Sequence, residues 1–168
     1  MKKRVYIETT IPSFYVETRR EPDIVARRGW TREWWDTRRQ HYEVVTSPAV
    51  IEELQCGSYP NKEDALALVA DLRLLPAVPA IGPIVKTYIA RHVMPADPTG
   101  DGLHLAFASY YHCHFLLTWN CEHLANANKF EHIRHVNTEL GLFCPIPTTP
   151  VELLGCEEDS NDETRYSH

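Results

Sequence analysis

Residues 101–120 read DGLHLAFASYYHCHFLLTWN, and this stretch decides the fold. Leu103, Ala106, Phe107 and Tyr110 recur at helical spacing, which predicts a helix opening at Asp101. Residues 114–118 then form a β-rich run that ends at Thr118, Trp119 and Asn120. The same alternation extends outward in both directions. Strands are predicted at residues 4–7 and 42–46, over a short run at 74–78, and at a proline-bearing edge over 144–148. Helices are predicted from Pro22 towards Gln40, from Pro48 to near Gly57, from Asn61 to about Leu72, over 81–92, and over 129–140 with Gly141 closing the last. Strands separated by helical segments of this length need crossover connections, so the class is α/β with a mainly parallel sheet of four to five strands.

The chain has 168 residues, 43% of them hydrophobic and 24% charged, enough apolar side chain for a core without staples. Residues 1–155 are expected to form one domain. Residues 156–168 contain EEDSNDETRYSH and predict a solvated, disordered tail. Lys and Arg number 17 against 23 Asp and Glu, a formal charge of -6, which excludes a general basic coat but not a local basic patch. The basic start MKKR runs straight into a strand without a signal-peptide core. The most apolar stretch, residues 103–119, is interrupted by His104, His112 and His114 and falls short of a membrane span. Cys56, Cys113, Cys121, Cys144 and Cys156 form no C-x-x-C pair and are odd in number, which predicts free thiols and a cytoplasmic protein.

In open α/β sheets, sites form beyond the carboxyl ends of the strands at the switch point. Glu8, Thr9 and Thr10 end the first strand. Ser47 ends the second and precedes a helix carrying Glu52 and Glu53. Asp101 opens the helix that feeds the strand ending at Asn120. Carboxylates gathered in one cleft cannot all stay ionised without a cation, which makes them a natural site for Mg²⁺ or Mn²⁺ and for phosphodiester hydrolysis. The same residues are also ordinary helix caps or a solvated helix face.

Three segments, VYIETTIPSFY, SPAVIEELQCG and DGLHLAFASYYHCHFLLTWNCEHLAN, resemble in order and spacing the signature regions of PIN-domain proteins, most nearly the VapC-like toxins of type II toxin–antitoxin pairs. The resemblance implies a three-layer, Rossmann-like fold and a Mg²⁺- or Mn²⁺-dependent endoribonuclease acting on RNA. It also implies an antitoxin partner and a homodimer, with no membrane association. Glu8 matches the family's first acid, usually Asp. Glu53 matches the second and Asp101 the third, while Asn120 matches a position that holds Asp or Asn. These four are the expected catalytic and metal-binding residues, with Thr9 and Thr118 supporting them.

Arginines 19, 20, 27, 28, 32, 38 and 39 lie close to Trp30, Trp34 and Trp35. Arg27, Arg28, Arg32 and Trp35 are candidates for contacting nucleic acid, guanidiniums on phosphates and an indole under a base. A core or partner-facing aromatic stripe is the competing interpretation. His112, Cys113, His114, Cys121 and His123 lack zinc-site spacing. P-loop, hydrolase-elbow and metalloprotease motifs are absent. Two alternatives to the nuclease remain: a catalytically weak or silent PIN-like nucleic-acid binder, and a protein-interaction module.

Overall fold

The computed structural model describes residues 1–97 and 100–155, so the expected tail and Cys156 lie outside the described residues. Five parallel strands form one sheet: β1 (Arg4–Ile7), β2 (Glu43–Thr46), β3 (Arg73–Leu74), β4 (Phe115–Leu117) and β5 (Ile146–Thr148). Their spatial order is β3-β2-β1-β4-β5. The chain therefore builds outward from β1 on one side, then crosses over and builds outward on the other. The strand order reverses between β1 and β4, and in open α/β sheets ligands bind beyond the carboxyl ends of the strands at such a switch point. Register pairs Val5 with Val44 on one flank and with Phe115 on the other.

Side-chain alternation sorts the strands into two faces. Tyr6, Val45 and Leu116 point into the larger core, where they meet α3 (Pro48–Gln55), α4 (Lys62–Val69), α5 (Ile81–Ala90), α6 (Asp101–Tyr110) and α7 (Ala127–Glu139). Val5, Ile7 and Leu117 point the other way. They meet α1 (Thr10–Tyr15), α2 (Pro22–Thr37) and α8 (Pro150–Leu154). Helices on both faces explain why Val5, Tyr6 and Ile7 are all fully buried in β1, and complete the expected three layers.

Most predicted elements appear with ends moved by one to three residues. The helix from Pro22 ends at Thr37 and passes into a 3₁₀ turn at Arg39–His41. The strand expected at 74–78 is the two-residue β3. Pro147 is accommodated because β5 is an edge strand. Gly141 follows the C-cap of α7 with φ +69°, the left-handed conformation that favours glycine. Helices α1 and α8, six and five residues long, were not expected, being too short for periodicity to register.

The tryptophans separate along α2. Trp34 and Trp35 are buried in the smaller core, whereas Trp30 is 39% exposed. This corrects the expectation that Trp35 stacks on a base: its ring lies edge-on to Tyr15 and beneath the Arg39 guanidinium at 4.9 Å. No helix among the described residues is long and apolar enough to cross a membrane.

Candidate metal centre

Tyr6 and Glu8 are two residues apart on β1 and its extension, so both face the layer that contains α3 and α6. The backbone N–H of Glu8 continues the ladder by donating to the Leu117 carbonyl at 3.1 Å. Helix α3 brings Glu53 to this point, while Glu52 turns to solvent one helical step away. Helix α6 brings Asp101 and His104, which share a face at i, i+3 spacing. Glu8, Glu53 and His104 each place a donor atom within 4.8 Å of the others. No other such group of three forms among the described residues, the His112–His123 region included.

Each carboxylate is held by named donors. Glu8, only 4% exposed, accepts through Oε2 from the Thr10 N–H at 3.0 Å, from the Thr10 hydroxyl, and from the Thr118 hydroxyl at 2.8 Å. Both hydroxyls also accept, from the N–H of Trp119 and of Asn120 respectively. Glu53 Oε2 accepts from the Thr9 hydroxyl, and Oε1 meets His104 Nε2 at 2.7 Å. The other His104 nitrogen lies 2.8 Å from the Tyr6 hydroxyl, itself 2.6 Å from Ser47 Oγ. Asp101 Oδ2 accepts from Asn120 Nδ2 at 2.8 Å.

The four expected residues thus converge in two linked pairs. Thr118 joins them, donating to Glu8 and accepting from Asn120. Asp101 is not the cap of its helix: Gly100 occupies that position, and the carboxylate turns to Asn120. Asn120 plays a different part from the expected oxygen ligand. Its Oδ1 accepts from the N–H groups of Glu122 and His123, at 3.2 and 3.0 Å, so its amide nitrogen faces Asp101. Thr118 likewise spends its hydroxyl on Glu8 and Asn120. His104 and Thr10 were not anticipated. The available signal was parity: Tyr6 and Glu8 share a strand face, and His104 lies one turn beyond Asp101.

Burial pushes the Glu8 carboxyl above its ordinary range, opposed by the His104 charge and the threonine hydrogen bonds. Burial also opposes ionisation of Glu53, but the His104 contact and the Thr9 bond outweigh it and hold that carboxyl low. For His104, burial disfavours the charged ring, but the bond to Glu53 and the Glu8, Glu53 and Asp101 charges raise its pKa. A histidine raised above its ordinary 6.5 stabilises the fold below that pH and loses its contribution as pH climbs through the elevated value. Glu8 acts in the same direction above its ordinary 4.5, because the folded state keeps the proton longer. The metal-free protein should therefore melt at lower temperature at about pH 8.5 than at about pH 6. His104→Gln should flatten that slope. A wild-type melting temperature that rises across this range would contradict the assignment.

The donor set fits a hard divalent cation. In each of Glu8 and Asp101 one oxygen is anchored, while the other, Oε1 and Oδ1, accepts no hydrogen bond from a described residue. Carboxylate oxygens held in this way suit Mg²⁺ or Mn²⁺. At the rim, Trp119 stacks on Trp30 with centroids 6.1 Å apart, and the Arg27 guanidinium lies 5.4 Å from the Trp119 centroid. Arg28 and Arg32 donate to the Glu17 and Tyr15 carbonyls at 3.0 and 2.8 Å, pinning α2 to the end of α1.

Neither a protein-family model nor a curated protein sequence matches the chain. Among solved structures, it is similar to the crystal structure of VapBC2 from Rickettsia felis bound to a DNA fragment from their promoter. The TM-score is 0.52 at 15% identity, over 87% of this chain and 98% of that one. At that identity the likeness is one of fold. It agrees with the resemblance carried by the three sequence segments, and the chain has a three-layer α/β fold of the PIN type.

Proposed function

We propose that the protein is a metal-dependent endoribonuclease of the PIN, VapC-like type, hydrolysing RNA phosphodiester bonds as the toxin of a toxin–antitoxin pair. The observation that carries this reading is the meeting of Glu8 and Glu53, with Asp101 joined to Glu8 through Thr118 and Asn120, at the switch point of the sheet. Glu8, Glu53 and Asp101 would hold Mg²⁺ or Mn²⁺. Such an ion supplies Lewis-acid activation of water and neutralises charge developing on the phosphate.

The chain's own residues do the positioning. Thr10 and Thr118 fix the Glu8 carboxylate, Thr9 and His104 fix Glu53, and Asn120 fixes Asp101. The Arg27 guanidinium, 5.4 Å from the Trp119 ring centroid, would contact a phosphate of the substrate strand. Arg28 and Arg32 extend that positive edge along α2 and partly offset the acidic cluster for a polyanionic substrate. An antitoxin protein and a second copy of this chain are the expected partners, and the cytoplasm the expected setting.

The test is incubation of a mixed, structured RNA with Mg²⁺, Mn²⁺ or EDTA, with Asp101→Asn beside wild type. Discrete cutting that requires the metal and drops by more than about 100-fold in the variant is the expected result. Metal-independent cutting, or equal cutting by the variant, would refute it. RNA that is bound in EDTA and left intact with metal would instead identify a catalytically silent binder.

A further inference from the structure

We infer that His104 is a positioning residue whose ring is kept out of the coordination sphere: a chain of contacts from Ser47 through Tyr6 and His104 locks Glu53 in place and leaves a cation only oxygen donors. This rests on the metal-site reading above and adds how one ligand is held. Both His104 nitrogens are engaged, Nε2 with Glu53 Oε1 at 2.7 Å and Nδ1 with the Tyr6 hydroxyl at 2.8 Å. Because a carboxylate only accepts, Nε2 carries its proton towards Glu53 whether the ring is charged or neutral. The Tyr6 hydroxyl adapts to either state, donating to Nδ1 or accepting from it, with Ser47 Oγ at 2.6 Å on its other side.

Ser47 sharpens the argument. It stands at the N-cap of α3, directly before Pro48, where a serine hydroxyl ordinarily accepts a bond from the helix. Here it makes no such cap bond and points to Tyr6 instead. Tyr6, Ser47 and His104 are buried, so turning the imidazole towards a cation would strand Nδ1 in the core and leave the tyrosine hydroxyl with Ser47 alone. The relay grips α3 at both ends, at Ser47 and at Glu53. It ties that helix to β1, the strand that leads into Glu8. A histidine with a purely packing role would not terminate on a carboxylate beside a second carboxylate. An all-oxygen centre suits Mg²⁺ and Mn²⁺ and withholds the imidazole donor that suits Zn²⁺ and Ni²⁺.

The experiment is Mn²⁺ titration of the full chain followed by electron paramagnetic resonance, with pulsed detection of nitrogen coupled to the bound ion. Wild type should bind Mn²⁺ without a directly coordinated nitrogen. His104→Leu, which cannot donate to Glu53, should weaken binding by about 10- to 100-fold, and Tyr6→Phe by about tenfold. His104→Gln restores an amide donor near the place of Nε2 and should recover most of the affinity. Should the leucine variant fail to fold, Tyr6→Phe and His104→Gln carry the comparison. A directly coordinated nitrogen, or wild-type affinity in Tyr6→Phe or in a folded His104→Leu, would overturn the inference while leaving the metal site standing. No Mn²⁺ binding by wild type would overturn both.

Discussion

Glu8→Gln should lose metal-dependent RNA cleavage by more than about 100-fold while melting at the same temperature as the metal-free wild type or higher. The two effects have one cause. Glu8 is buried, and burial raises its carboxyl pKa in spite of the His104 charge and the threonine hydrogen bonds, so the ionised form is held at a cost. The glutamine carbonyl can still accept from the Thr10 N–H, the Thr10 hydroxyl and the Thr118 hydroxyl. Its amide nitrogen takes the place of Oε1, which no described donor faces. The fold thus keeps its hydrogen bonds and sheds a buried charge, whereas a cation loses a ligand. Added Mn²⁺ should raise the melting temperature of wild type and leave the variant unmoved. A variant that melts well below wild type would make Glu8 a structural residue, and one that still cleaves with metal would remove it from the site.

Trp34→Ala should produce the largest loss of stability. The indole is fully buried between Trp35 and Tyr42, with ring centroids at 6.4 and 5.8 Å, in the smaller core with Val5, Ile7, Leu117 and Leu153. Truncating a buried tryptophan costs about 3–5 kcal/mol. For a chain of this size that is a fall of roughly 6–20 °C in melting temperature. Trp34→Phe should cost much less, because the indole N–H has no hydrogen-bond partner among the described residues and the ring volume is largely kept. Thermal melts of the two variants decide the matter. A shift under about 2 °C for the alanine variant would return Trp34 to the partner-facing role that its spacing with Trp30 also allowed.

The sheet was legible because its longer strands are β-branched or aromatic and aliphatic runs broken by helices of ordinary length. Residues 4–7 fall where expected because a central parallel strand must be apolar on both faces. The short helices α1 and α8 were not legible, since five or six residues carry less than two turns of pattern. For the site, residue type and order singled out Glu8, Glu53 and Asp101; the fold brings Glu8 and Glu53 together and sets Asp101 on Asn120, while Glu52 faces solvent. What residue type cannot encode is which lone pair or N–H a neighbour has already taken. Asn120 looked like an oxygen donor until its oxygen met the amides of Glu122 and His123. Thr118 read only as a supporting residue, and its hydroxyl joins Glu8 to Asn120. His104 read as a break in an apolar run, although its partners Tyr6 and Glu53 lie 98 and 51 residues away in sequence. Along α2, successive tryptophans look alike in sequence, and only packing against Tyr15 and Tyr42 buries Trp34 and Trp35 while leaving Trp30 at the surface.

The most direct test of the central claim is anomalous diffraction from crystals of the wild-type protein soaked in Mn²⁺. The geometry predicts a peak at the switch point between β1 and β4, bonded at roughly 2.0–2.2 Å to carboxylate oxygens of Glu8, Glu53 and Asp101, with the His104 ring still on Glu53. A switch point without a peak, in crystals that bind Mn²⁺ elsewhere, would contradict the account.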